Sequence, residues 1–244
     1  FFALVVVVVA AIPVGFVLRG TLSRAFIASY RPPEVNTTPY IPELLRVLRV
    51  EVLPVGGGVV SAYVQLLNPN PDISAREFEY AIVLLDAAGQ EIDRIAGQSY
   101  LLAGDSRFIV VPSYAAAALP AKARMEIGKV GWTKLQPEYD LRFEIVQKNT
   151  GFTPEGKLFV EGLLRNLQSL QIKKVDLDVL VFDERNEIIL GVNTISYTDL
   201  LPLESRYIRT IFPSGTYFPP ERIEIIPKVN LLSPGLIIGK PEKV

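Results

Sequence analysis

Apolar and polar residues take turns along much of this chain. In RVEVL (49–53) charged and apolar side chains alternate. In KKVDLDVLVFD, Val175, Leu177, Val179 and Val181 fall on one side, and Lys174, Asp176 and Asp178 on the other. A period of two places successive side chains on opposite faces of a strand, so each segment predicts a strand with one buried face. RIEII (222–226) alternates again, whereas Ile188, Ile189 and Leu190 run together, as in a strand covered on both faces. VGGGV, NPNPD, DAAG, LAGD, DERN and FPSG supply turns between these runs. Beyond the N-terminal segment, only AAAAL (115–119) reads as helix.

The pattern occurs twice. RMEI at 124–127 returns as RIEI at 222–225. Upstream, RVEVL aligns with RFEIV (142–146), and VSAYVQLLNPN (60–70) with LFVEGLLRNLQ (158–168), with Asn68 over Asn166. YAIVLLDAAGQEI (80–92) aligns with LDVLVFDERNEII (177–189). QSYLLAGDSRF (98–108) aligns with ISYTDLLPLESRY (195–207), matching Tyr100 to Tyr197 and Ser106-Arg107 to Ser205-Arg206. RVEVL fits only with a longer hairpin loop in the second copy, NTGFTPEG in place of VGGGV. Ordered matches of this kind indicate two copies of one domain of about ninety residues. Many short strands with turns every eight to twelve residues point to an antiparallel immunoglobulin-like β-sandwich.

The first eighteen residues, FFALVVVVVAAIPVGFVL, carry no charge. As a helix they would extend roughly 27 Å, about the thickness of a bilayer core. Phe1, Phe2, Val5, Pro13, Gly15 and Phe16 are its candidate contact residues, with Pro13 as a kink and Gly15 as a point of close approach. Their partner is either membrane lipid or copies of the same helix. Phe1 followed by a long apolar run resembles type IV pilins, although Val5 stands where bacterial pilins carry Glu. That resemblance implies a subunit of an extracellular filament with this helix in its core. Arg19, Arg24 and Arg31 precede the first acid, Glu34, which by the positive-inside rule alone would keep the following domains in the cytoplasm. RPPEVNTTPYIP (31–42) is a stiff extended spacer.

The predicted fold class is therefore mainly β: an N-terminal apolar α-helix followed by two tandem antiparallel immunoglobulin-like β-sandwiches. The segments are 1–29 (hydrophobic helix), 30–42 (Pro-rich linker), 43–135 and 138–230 (sandwiches) and 231–244 (C-terminal tail). The junction KLQPEY is short, so the two sandwiches should touch at a fixed angle. LIIG in the tail could add an edge strand to the second sandwich or to a neighbouring subunit.

Composition narrows the chemistry. The 244 residues include no Cys and no His, which excludes disulfides, thiol nucleophiles, Cys/His zinc sites and imidazole triads. Charge is balanced at 25 basic and 26 acidic residues, with no basic footprint for nucleic acid. Asp72, Glu77 and Glu79 cluster near NPNPD but lack the spacing of a calcium loop. D-x-x-G at Asp86 and D-x-x-N at Asp183 read as hairpin turns, and Trp132 as a plug between the domains. Arg124-Glu126 and Arg222-Glu224 read as solvated pairs on a strand's polar face. No catalytic residue, metal, cofactor or small-molecule substrate is expected. Tyr217 and Phe218, in a Pro-bounded loop, with Phe152 and Tyr114 are candidate protein-contact residues at the domain ends.

VLVFDERN and IVLLDAAG are similar to the motif of FxLYD-type domains, which are related to the late-embryogenesis-abundant fold. Val179 and Ile82 replace that motif's Phe, and Phe182 and Leu85 its Tyr. The order of apolar helix, spacer, LLNPN, LLDAAG, Trp132 and LLRN resembles membrane-anchored tandem-sandwich proteins of candidate-phyla-radiation bacteria. That resemblance implies a β-sandwich fold and placement of the domains outside the membrane. With no catalytic constellation in the residues, the expectation is a non-enzymatic cell-envelope protein whose extracytoplasmic domains assemble with other envelope proteins or with themselves.

Overall fold

The structure, a computed structural model, describes residues 41–134, 141–183, 189–213 and 220–238. Phe1, Phe2, Val5, Pro13, Gly15, Phe16, Tyr217 and Phe218 lie outside the described residues. Pro42–Val244 form one compact unit, distinct from Phe1–Ile41.

Among the described residues every regular element is a strand. In the first copy these are β1 (Arg46–Gly56), β2 (Val59–Leu67), β3 (Ser74–Leu85), β4 (Glu91–Leu101), β5 (Ser106–Ala115) and β6 (Lys122–Thr133). In the second they are β7 (Phe143–Phe152), β8 (Leu158–Asn166), β9 (Gln171–Phe182), β10 (Ile189–Leu200), β11 (Ser205–Ile211) and β12 (Arg222–Lys228), with a short β13 (Ile237–Ile238). The pairing is antiparallel in the orders β1-β2-β5 and β4-β3-β6, then β7-β8-β11 and β10-β9-β12. The duplication read from sequence is therefore a duplication of topology, strand for strand.

Each copy is sandwich-like because alternate residues of its two sheets meet in one core. Val60, Ala62, Val64 and Leu66 of β2 join Phe78, Ile82 and Leu84 of β3. Leu158, Val160 and Leu164 of β8 join Val175, Leu177, Val179 and Val181 of β9. The inward face predicted for β9 is the observed one. Ile189 and Leu190 point to different buried faces, as their run of apolar residues suggested.

Three details of the sequence alignment are corrected. Arg46 stands opposite Leu67 and Glu144 opposite Arg165, so Phe143 takes the place of Leu45, and RFEIV is not the counterpart of RVEVL. The connection from Pro54 to its partner Val60 is as long as that from Phe152 to Leu158, so the second copy has no longer loop. In the last strand, Ile82 faces Met125 whereas Val179 faces Ile225, so RIEI sits two residues along from RMEI. A slip of two preserves the inward face, which is why the sequence match could mislead.

Other expectations fare differently. AAAAL forms no helix; Ala115 ends β5 and the rest is bend and coil. Asp86 does anchor a hairpin turn: its carboxylate accepts from Gln90 N at 2.8 Å, and Gly89 has φ +82°. Trp132 packs against the first copy's own core instead of plugging a seam. The two isoleucines of LIIG pair within their own sandwich. Ile237 and Ile238 lie opposite Ile172 and Gln171 on β9, where the first copy places Trp132 and Thr133 opposite Ala75 and Ser74.

The matched asparagines share one structural job. Fully buried Asn68 donates to Ile73 O (2.7 Å) and Leu102 O (2.9 Å) and accepts from Asn70 N (3.1 Å). Asn166 donates to Leu170 O and Leu201 O (both 2.8 Å) and accepts from Gln168 N (3.3 Å). Each amide ties two turns together at the same end of its sandwich and supplies partners that buried backbone groups require.

Candidate functional site

The outer face of the β1-β2-β5 sheet of the first copy packs on the outer face of the β10-β9-β12 sheet of the second. Tyr63, with Leu53, Phe108 and Val110 beside it, meets Leu180, Phe182, Ile189 and Val192, with Ile226 at the margin. Tyr63 is wholly buried, and its hydroxyl donates to Glu51 at 2.7 Å; burial pushes this phenol well above its ordinary range. The expected contact between the copies thus exists, and it is a buried, mainly apolar seam.

A buried charge pair sits at its edge. Lys228 contacts the Asp178 carboxylate, and its ammonium also donates across the seam to Phe108 O. Both side chains are under a tenth exposed. Burial pulls the Lys228 ammonium down, to about 6, helped by Arg107 and opposed by Asp105 and Asp176. Direct contact with Asp178 also opposes burial. The sequence placed Asp178 on a solvated face; that is corrected, because a second sandwich covers the outer face that it shares with Leu180 and Phe182.

A cleft of about 400 Å³ opens beside this pair, lined by Tyr100, Leu102 and Arg107 of the first copy and Leu141, Phe143 and Lys228 of the second. Arg107 lies 3.9 Å from the Tyr100 ring centroid and donates to Tyr100 O at 3.0 Å; Arg206 stands over Tyr197 at 5.9 Å in the matching place. The Arg-Tyr match read from the repeat is thus a stacked pair in both copies.

The faces that do not meet carry charge where the seam is apolar. Ile189, Val192 and Ile226 correspond to Glu91, Arg94 and Glu126, because Leu85, Val83 and Ala81 face these residues as Phe182, Leu180 and Asp178 face the others. Arg94 bridges Glu91 (3.0 Å) and Glu126 (2.6 Å), and Glu126 also meets Arg124 (2.8 Å). Hydrogen bonds from Arg94 and then Arg124 hold the Glu126 carboxyl below its usual value. On the other free face Glu161 and Arg209 replace Tyr63 and Val110. Polar outer faces of this kind end a stack of repeats and keep it soluble. Arg124-Glu126 is the surface pair expected, and Arg222-Glu224 likewise.

The sequence-derived contact residues do not form one described surface. Phe152 is 45% exposed at the end of β7. Tyr114 packs against the first copy's core, and its hydroxyl donates to Asp93 at 3.0 Å. Asp72, Glu77 and Glu79 are all exposed, and among the described residues no three acids group as metal ligands. Sequence reasoning missed Tyr63, Asp178 and Lys228. Their only signal lay in the comparison of copies, where Tyr63 stands over Glu161.

No family model and no curated protein matches the chain. It is similar to a solved red sea bream transglutaminase at 12% identity and a TM-score of 0.21, over 75% of this chain and 29% of that one.

Proposed function

We propose that this chain is a non-enzymatic structural and interaction protein of the cell envelope, held in the membrane by residues 1–29 as an apolar helix, with two extracytoplasmic immunoglobulin-like domains. The strand order β1-β2-β5 over β4-β3-β6, repeated in the second copy, supports the immunoglobulin-like assignment. The uncharged run from Phe1 to Leu18 supports the anchor. Among the described residues no helix is long and apolar enough to cross a membrane, so the anchor rests on that run.

The observation that carries the reading is the seam. Two sandwiches joined through a buried apolar core and a buried Lys–Asp pair form a spacer of fixed geometry. Small-angle scattering of the full chain in detergent should fit one rigid arrangement of the two copies. Tyr63→Glu, which gives the seam the residue found at the matching free face, should cost about 3–5 kcal/mol at the seam. It should also raise the radius of gyration. A wild-type chain that already hinges freely would sink the reading.

The uncharged run of residues 1–18 also supports a second reading, a filament subunit with this segment in the filament core. Electron microscopy of native cell surfaces decides between them. Uniform fibres containing the chain support the second reading, and recovery only from detergent-solubilised membranes supports the first.

A further inference from the structure

Leu44 (80% exposed), Leu48, Leu167, Leu201, Leu203 (71%) and Ile238 lie in turns or near strand termini at one end of the compact unit, while Leu119, Phe152 and Ile211 are exposed toward the other. Hydrogen bonds place the turns together. In the first copy Glu43 N donates to Asn70 Oδ1 and Gly104 N to Asn70 O. In the second, Arg142 N donates to Gln168 Oε1 and Leu203 N to Gln168 O. Leu102 of the first of these ends and Leu141 of the second line one cleft, so the two copies present their turns side by side.

Leu203 is the telling residue. Its φ of +56° is left-handed, a conformation that L side chains adopt at a cost and glycine adopts freely. The first copy places Gly104, φ +66°, in the matching turn. The second copy accepts the strain and then leaves the leucine in solvent. Strain kept at an exposed apolar side chain points to a contact that this side chain makes.

The chain also enters the unit at this end, at Pro42, leading from the spacer and the uncharged run of residues 1–18. Charges nearby include two matched pairs: Arg46 with Glu43 at 2.8 Å, and Lys173 with Asp199 at 2.6 Å. We propose that this leucine-tipped end docks on the lipid surface, with Leu44, Leu201 and Leu203 reaching the headgroup–acyl boundary. The contact is apolar, so it does not require anionic lipid. It sets the sandwiches upright on the membrane and deepens the anchoring reading, on which it rests.

The chain lacks cysteine, so single probe sites are clean. The full chain is reconstituted in phosphatidylcholine vesicles with an environment-sensitive fluorophore at Leu203→Cys, at Phe16→Cys in the apolar run, or at Leu119→Cys. Leu119 is 67% exposed beyond β5, at the opposite end. The expected result is blue-shifted emission at 203 and 16, quenched by brominated acyl chains, with neither effect at 119. Quenching at 16 without quenching at 203 overturns the docking and leaves the anchor standing. Quenching at neither overturns both. A blue shift at 203 that brominated lipid does not quench means that protein covers this end, which also overturns lipid as the occupant, as does equal quenching at 119. Leu203→Gly, with the probe moved to Leu167→Cys, should weaken quenching while the thermal midpoint stays level or rises. Unchanged quenching there counts against the role given to Leu203.

Discussion

Asn68→Ala is expected to destabilise the first copy by about 3–5 kcal/mol. The side chain removed is fully buried and serves Ile73 O, Leu102 O and Asn70 N at once. A buried polar group that loses its partner costs about 1–3 kcal/mol, and alanine cannot replace any of the three bonds. Asn68→Asp should be no milder near neutral pH, because a carboxylate would face two carbonyl oxygens that need donors. Trp132 is the only tryptophan and lies against the first copy's core, so its fluorescence in urea reports this unfolding. Asn166→Ala should produce a loss of similar size in the second copy, followed by circular dichroism. A loss well under 1 kcal/mol in both would mean that the shared bonds do not hold the turns. The expected size depends on burial as much as on the number of bonds, since water would repair an exposed site.

The second large effect lies at the seam. Lys228→Met alone should cost about 3–5 kcal/mol, because it leaves the Asp178 carboxylate buried without the Lys228 donor that contacts it. The double variant Lys228→Met with Asp178→Leu should recover most of that loss or exceed wild type, since an apolar pair leaves no buried polar group unpartnered. Failure of the double variant to recover would show that the bond from Lys228 to Phe108 O, not the ion pair, holds the edge of the seam. A pH dependence accompanies this. Burial lowers the Lys228 ammonium from its ordinary value of 10.5 to about 6. Between those values the unfolded chain holds more protons than the folded one, so stability rises with pH across that window. Urea midpoints of wild type should climb from pH 6 upward more steeply than those of Lys228→Met. Equal slopes would remove Lys228 as the cause.

These two sites differ in how visible they were beforehand. Asn68 and Asn166 stood in register in the repeated sequence, and a buried amide inside an apolar strand end is a recognisable sign. Asp178 and Lys228 carried no such sign. On a strand of period two, Asp176 and Asp178 both read as solvent-facing, and only the arrangement of the copies covers one of them.

The sequence by itself determined that this region is β, that it is duplicated, which face of β9 points inward, and that no cysteine or imidazole chemistry is available. Those properties depend on alternation, turn residues and composition, which are local. Only the pairing of strands showed which residues of β1 and β7 correspond, because a bulge between Val47 and Arg49 interrupts the alternation there. It likewise showed the two-residue slip of β12, because a strand shifted by two presents the same face and leaves no trace in the pattern. Tertiary structure also decided which outer faces meet. Val192 and Ile226 become seam and Arg94 and Glu126 become surface only when one sandwich is laid on the other, and burial of that kind comes from residues distant in the chain.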